Sequence, residues 1–192
     1  IVKNIGLMGL ASAASIIAIP MALFFPKLIE KFSVVKLMIT GFFVSAAGYL
    51  LFFFAGANIP LLMLGSLLTG AGTVPASLLI SLVVLDCAEY NEWKGIHRME
   101  GTMNNIVGLG NKIGSAVGAG ALGILLSMSG YTGVAETMPD SAYTMIRLLM
   151  SLIPMVLYIL TACSLFTYKL DRTMPQIRKE NEERRKAKVE EK

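Results

Sequence analysis

Charge is scarce in this sequence. Asp, Glu, Lys and Arg make up 16% of its 192 residues while apolar residues make up 55%, against about a quarter charged in a soluble domain. A chain this poor in charge and this rich in apolar residues does not fold as a water-soluble enzyme or binding domain, and its mean hydropathy is positive. Histidine occurs once, at His97, and cysteine twice, at Cys87 and Cys163. That leaves no metal-ligand cluster and no disulfide framework. No acid pair, activated nucleophile or His cluster suggests catalysis at any depth, so the chain reads as no enzyme, with no metal site and no cofactor. The start, Ile1-Val2-Lys3-Asn4, lacks an initiating Met and the pattern of a signal peptide. It is expected to be a piece whose preceding half lies elsewhere.

What is present in abundance is long apolar runs. Hydrophobic stretches of roughly 20 residues cross a hydrocarbon core of about 30 Å as helices. Five qualify, at about 5–26, 37–57, 60–85, 102–127 and 144–168, so residues 1–168 read as an all-α transmembrane bundle and 169–192 as a charged tail. The formal charge of +4 points to no nucleic-acid partner, because the basic residues sit between apolar runs. Lys27, Lys31 and Lys36 fall in the first loop, Lys94 and Arg98 in the third, and most others in the tail. The second loop carries no charge, and the fourth only Glu136 and Asp140. Since basic residues of short loops stay on the cytoplasmic side, the chain is expected to be a multi-pass plasma-membrane protein with a cytoplasmic C-terminus. The tail, mixing both charge signs without an apolar stripe, reads as a solvated helix or disordered end.

One side chain is out of place in that scheme. Lys112 falls near the middle of the fourth span, where a central ammonium costs about 2.5–3.5 kcal/mol even on insertion scales. At 3.6 residues per turn its face holds Asn105, Gly108, Ala116, Ala119 and Gly123, small and polar as a water-filled path requires. Gly110, Gly114 and Gly118 lie away from that face and form two overlapping GxxxG steps suited to close helix packing. Lys112 is expected to bind a solute or pair with a membrane carboxylate from the other half, with cation coupling following from competition for that acid. In the third span, Pro75 is expected to bend the helix, as is Pro154 in the fifth. Ser77 and Ser81, on one face, either line the same cavity or bond back to their own helix.

The stretch Asp86 to Gly101 reads as a loop at the cytoplasmic mouth, dense in both signs of charge. Asp86, Glu89, Glu92, Arg98 and Glu100 are expected to form a gate of ion pairs, with Arg98 and Lys94 facing the acids. Pairs worth about 0–1 kcal/mol each suit a contact that opens and closes.

The residues Asp86, Glu89, Tyr90, Glu92, Trp93, Lys94, Gly95, Arg98, Glu100 and Gly101, followed by Lys112, Gly114, Ser115, Ala116 and Gly118, form a long composite motif. With Gly130-Tyr131 and Tyr168-Lys169-Leu170-Asp171, it resembles the glycoside-pentoside-hexuronide:cation symporter family over essentially the whole chain. The resemblance implies the last five of twelve helices of a major facilitator fold, working by alternating access. It also implies that Lys112 lies beside the sugar and cation sites, that Gly108 lines the sugar pocket, and that Asp86, Glu92 and Arg98 belong to the inner gate. A sugar or glycoside, the lipid bilayer and the other half of the transporter are the expected partners. Sodium or a proton is the expected coupling ion, its site lying mainly in the other half. Two rival readings stand beside this one: a related symporter of a non-sugar solute, and a non-transporting membrane sensor or assembly subunit.

Overall fold

The computed structural model describes residues 32–56, 58–133, 139–168, 170 and 173–190; the first expected span, about 5–26, lies outside them. The described residues form six α-helices and no strand: α1 (Val34–Ala55), α2 (Ile59–Trp93), α3 (Glu100–Met128), α4 (Asp140–Met150), α5 (Leu152–Leu165) and α6 (Met174–Glu190). Four stretches are long and apolar enough to cross a membrane: α1, α2, α3, and α4 with α5 taken together. The chain is thus an all-helical integral membrane protein.

Small residues decide how α1 and α2 meet. Gly41, Ser45 and Gly48 on α1 recur at helical spacing, and Gly72, Thr69 and Gly65 run in the opposite order on α2. A Cβ at Gly48 would stand 2.8 Å from the Gly65 carbonyl oxygen, and one at Gly41 would meet the Gly72 carbonyl oxygen and lie 2.8 Å from the Pro75 ring. Two antiparallel backbones therefore touch where side chains are missing, which is how helices associate when lipid removes the hydrophobic driving force. Ser45, fully buried, donates its hydroxyl proton to the Thr69 carbonyl across the crossing at 3.3 Å.

Around this crossing, Leu37, Met38 and Phe42 of α1, Leu79 of α2 and Ala162 of α5 form the core. Tyr158 of α5 joins it, stacking on Tyr49 with ring centroids 5.5 Å apart and tilting against Phe42 at 5.7 Å. Such pairs contribute about 0.5–1.5 kcal/mol beyond their area.

Three elements differ from the sequence expectation. First, Asp86 to Trp93 belong to a helix and not to a loop. Nothing in Asp86-Cys87-Ala88-Glu89-Tyr90-Asn91-Glu92-Trp93 stops a helix, and the stop is Gly95, at φ 80°. Gly95 N–H donates to the Glu92 carbonyl and Ile96 N–H to the Asn91 carbonyl, both at 2.9 Å, the paired bonds of a Schellman ending. With 35 residues at 1.5 Å each, α2 runs roughly 50 Å, well past a core of about 30 Å. Its last turns stand clear of the hydrocarbon. Gly130, at φ 77°, ends α3 the same way, with Tyr131 N–H donating to the Leu126 carbonyl at 3.2 Å.

Second, the fifth span is two helices rather than one bent helix, while Pro75 lies inside α2 without ending it. Ser151, at φ −132° and ψ −71°, separates α4 from α5. Pro154 supplies no N–H to the Met150 carbonyl four residues earlier, and its ring crowds that carbonyl, so the break falls at the end of α4. Third, the tail is neither bare nor irregular: Met174, Ile177 and Asn181 are buried as α6 lies along the protruding end of α2. The three follow helical spacing, a stripe too narrow and too polar to register as an apolar face.

Contacts also sort the two ends of the bundle. Lys36, the end of α2, the start of α3, Tyr168 beside Cys87 (3.9 Å) and α6 gather at one end. Phe53, Gly56, the start of α2 and Arg147 gather at the other, joined by a bond from the Arg147 Nε to the Phe53 carbonyl at 3.0 Å.

Candidate functional site

Two groups of residues carry polar chemistry here, one halfway along α3 and one at the protruding end of α2.

Lys112 lies near the middle of α3 with its side chain exposed, and none of the 29 residues of α3 is buried. Asn105 is exposed and Gly108 half-buried on the same face. A Cβ added at Gly108, Gly110, Gly114 or Gly118 would meet nothing within 4 Å. The close crossing expected of Gly110, Gly114 and Gly118 is therefore not made with any described residue, and the small-residue contact that is made belongs to α1 and α2. Ser77 and Ser81 are exposed on α2. Ser77 donates to the Thr73 carbonyl of its own helix at 3.0 Å, the local alternative its position allowed.

At the end of α2, by contrast, the acids are heavily engaged. Because Asp86, Glu89 and Glu92 recur every three residues on a helix, they follow one another up the side that α6 covers. Arg178 of α6 reaches two of them at once, its Nη2 to Asp86 at 2.5 Å and its Nε to Glu89 at 2.9 Å. The Asp86 side chain is only 5% exposed while Arg178 keeps 47%, so the pair straddles the boundary between protein and water. Burial works against the Arg178 charge, but the hydrogen bonds and fields of Asp86 and Glu89 outweigh it and hold the guanidinium pKa above the ordinary arginine value.

Two turns further, Arg185 grips Glu92 with both arms of its fork, Nε at 2.8 Å and Nη2 at the second oxygen. The bond to Glu92, against a small desolvation cost, raises the Arg185 pKa as well. Bidentate geometry of this kind is what arginine offers and lysine does not. Trp93 donates its indole N–H to Glu180 at 2.6 Å, and Gln176 donates to the other oxygen at 3.0 Å. These two bonds, the indole first, hold the Glu180 carboxyl below its ordinary range. Backbone is recruited too: Asn181 donates to the Glu89 carbonyl at 2.9 Å, and Arg184 donates at 3.0 Å to the Trp93 carbonyl, an orphan acceptor at the end of α2.

Arg98 pairs with Glu92 at 3.7 Å and with Glu100 through its Nε. Glu100 stands in the first turn of α3, where a negative charge suits the helix dipole. Lys94 differs from expectation: its ammonium sits over the rings of Tyr90 and Trp93, 5.7 and 5.6 Å from their centroids, and pairs with no acid among the described residues. The residues that sequence reasoning missed are those of α6. Arg178, Glu180, Asn181 and Arg185 looked like alternating solvated charges, although Arg178 and Arg185 are seven residues apart, the spacing that puts both on one face, as Asp86 and Glu92 nearly are on α2.

Comparison with known proteins supplies the frame for these residues. Residues 3–172 match the model of a family described as MFS/sugar transport protein. An isoprimeverose transporter of Lactiplantibacillus pentosus is 29% identical over 120 residues, covering 62% of this chain and 25% of that protein. An uncharacterized symporter, YnaJ, of Bacillus subtilis (strain 168) is 28% identical over 172 residues, covering 89% of this chain and 36% of that protein. The chain thus spans about a quarter to a third of the length of these relatives. No solved structure matches. A family match across nearly all of the sequence, on a bundle of membrane-length helices, places this chain in the MFS/sugar transport protein family.

Proposed function

We propose that the chain is the C-terminal part of a symporter that carries a sugar or glycoside with sodium or a proton by alternating access. The observation that carries this reading is Lys112, a basic side chain midway along the membrane-length helix α3. A charge at that depth is expensive in lipid and is kept where it faces solute, ion or a partner charge. Its face, with Asn105 and Gly108, leaves room for a hydroxylated ligand. Lys112 would donate to sugar oxygens and compete with the coupling cation for a carboxylate of the other half. The name of the isoprimeverose transporter supports the sugar class, and the description of the second relative as a symporter supports coupling.

Asp86, Glu89, Glu92, Arg98 and Glu100 would then stand at the inner mouth, since the basic end of the bundle is cytoplasmic by the distribution of Lys and Arg. Alternating access requires that mouth to close through contacts weak enough to exchange, and exposed ion pairs are such contacts.

The test is counterflow by the full-length gene product in proteoliposomes, with a panel of labelled sugars that includes isoprimeverose, with and without sodium and at two proton concentrations. Exchange of at least one sugar, accelerated by one of the two cations, is expected. Lys112→Ala is expected to lower cation-driven uptake about 100-fold while leaving the amount of protein in the membrane unchanged. Unaltered coupled uptake by Lys112→Ala would remove Lys112 from the path. A non-sugar solute moved in place of every sugar would favour the related-symporter reading.

A further inference from the structure

Three of the four acids assigned to the inner mouth, Asp86, Glu89 and Glu92, are already engaged by the chain's own last helix. Arg178 spans Asp86 and Glu89, Arg185 clasps Glu92, Glu180 accepts a hydrogen bond from the Trp93 indole N–H, and Asn181 and Arg184 donate to the Glu89 and Trp93 carbonyls. Among the described side chains of α6, only Met174 and Ile177 add buried apolar surface. A helix held mainly by charge and hydrogen bonds, over a narrow apolar strip, is held by bonds that water and other ions replace at small net cost.

One detail of the interface tells in the same direction. The Asn181 Oδ1 is buried with no hydrogen-bond partner among the described residues. An unpaired buried acceptor destabilises the docked arrangement and is relieved when the helix lifts into water. Asp86, however, is not relieved: a carboxylate 5% exposed must keep a cation or donors nearby. Departure of Arg178 is therefore an exchange of one cation for another, and not a simple release.

We propose that α6 is an internal latch that competes for Asp86, Glu89 and Glu92 with the basic groups that close the inner mouth, so that docking and undocking of the last helix sets how fast the transporter changes sides. The latch rests on the reading of these acids as the gate. The docked helix holds Asp86 and Glu89 and shares Glu92 with Arg98, and the undocked helix returns them to the gate.

The experiment uses the full-length protein with its native cysteines, Cys87 and Cys163 among them, replaced by Ser. Spin labels at His97 and Lys186, both exposed and neither bonded in the clasp, report the distance between the mouth and α6. Two distance populations are expected, with the separated one enlarged by Arg178→Gln with Arg185→Gln and by added salt. In a second arm, Cys introduced at the same two positions is joined by a cleavable bifunctional maleimide, which should slow exchange about tenfold and reversibly with solute affinity unchanged. A single docked population that neither the substitutions nor salt alters would overturn the latch. So would quantitative tethering with no change in exchange rate. If no sugar is moved even by untethered protein, the sugar reading fails, and the distance populations still decide for or against the latch.

Discussion

The guanidinium of Arg147 shows how one side chain can join two helices at the end of the bundle away from α6. Its Nε donates to the Phe53 carbonyl at 3.0 Å, and its plane lies 4.6 Å from the Phe53 ring centroid. The bonded carbonyl is one of the last in α1, an acceptor that the helix itself leaves open. Arg147→Ala is expected to destabilise the protein by about 1 kcal/mol through loss of one hydrogen bond and one cation–π contact, read as a lower unfolding midpoint in detergent. Arg147→Lys keeps the charge but not the fork, and should recover only part of it. At the opposite end, Glu180 offers a pH prediction. Its carboxyl is held below the ordinary value of 4.5 by the Trp93 indole first and Gln176 second. Its contribution to docking is thus present above about pH 4.5 and lost as the pH falls through the lowered value. Trp93 is the one tryptophan of this chain, and in a variant without other tryptophans its emission should stay constant down to about pH 4.5 and shift in more acidic solution. Glu180→Gln should abolish that shift.

Among whole elements, the α1–α2 crossing and the α4–α5 break follow from missing atoms, Cβ in one case and N–H in the other. Gly72 of α2 faces the Gly41 carbonyl and Ser45 of α1, so Gly72→Leu must push the helices apart. A cost of about 1–3 kcal/mol is expected, measured as thermal unfolding, whereas Gly101→Leu, with nothing within 4 Å of its added Cβ, should cost far less. Pro154→Ala restores the donor for the Met150 carbonyl and should let α4 and α5 run as one helix. Spin labels at Tyr143 and Leu160 would then report a longer and narrower distance distribution than in the parent protein. These small-residue repeats, Gly41-Ser45-Gly48 and Gly65-Thr69-Gly72, were as visible in the sequence as Gly110-Gly114-Gly118. Spacing alone does not tell which ridge meets which.

At the scale of the molecule, the two ends differ in charge as the bundle requires. Lys36, Lys94, Arg98 and the arginines of α6 lie at one end, and the uncharged turn after Ala55 lies at the other. A thiol introduced at Lys186 is expected to react with an impermeant maleimide only in inside-out vesicles, and one at Asn58 only in intact cells. The reverse pattern would invert the assigned topology. That the chain is a helical membrane protein was determined by the sequence alone, because hydropathy and span length depend on composition along the chain and need no partner. Lys112 stood out in the sequence as a charge within an apolar span, and the long charged motif pointed to the family. The extension of α2 was also within reach of the sequence, since Gly95 marks the stop. What only the tertiary structure decided is pairing: Gly41 with Gly72, Arg147 with Phe53, and above all Asp86, Glu89 and Glu92 with Arg178 and Arg185, some 90 residues away. Charges of both signs on a polar helix look the same whether they face water or another helix, and the difference exists only once a second backbone is brought alongside.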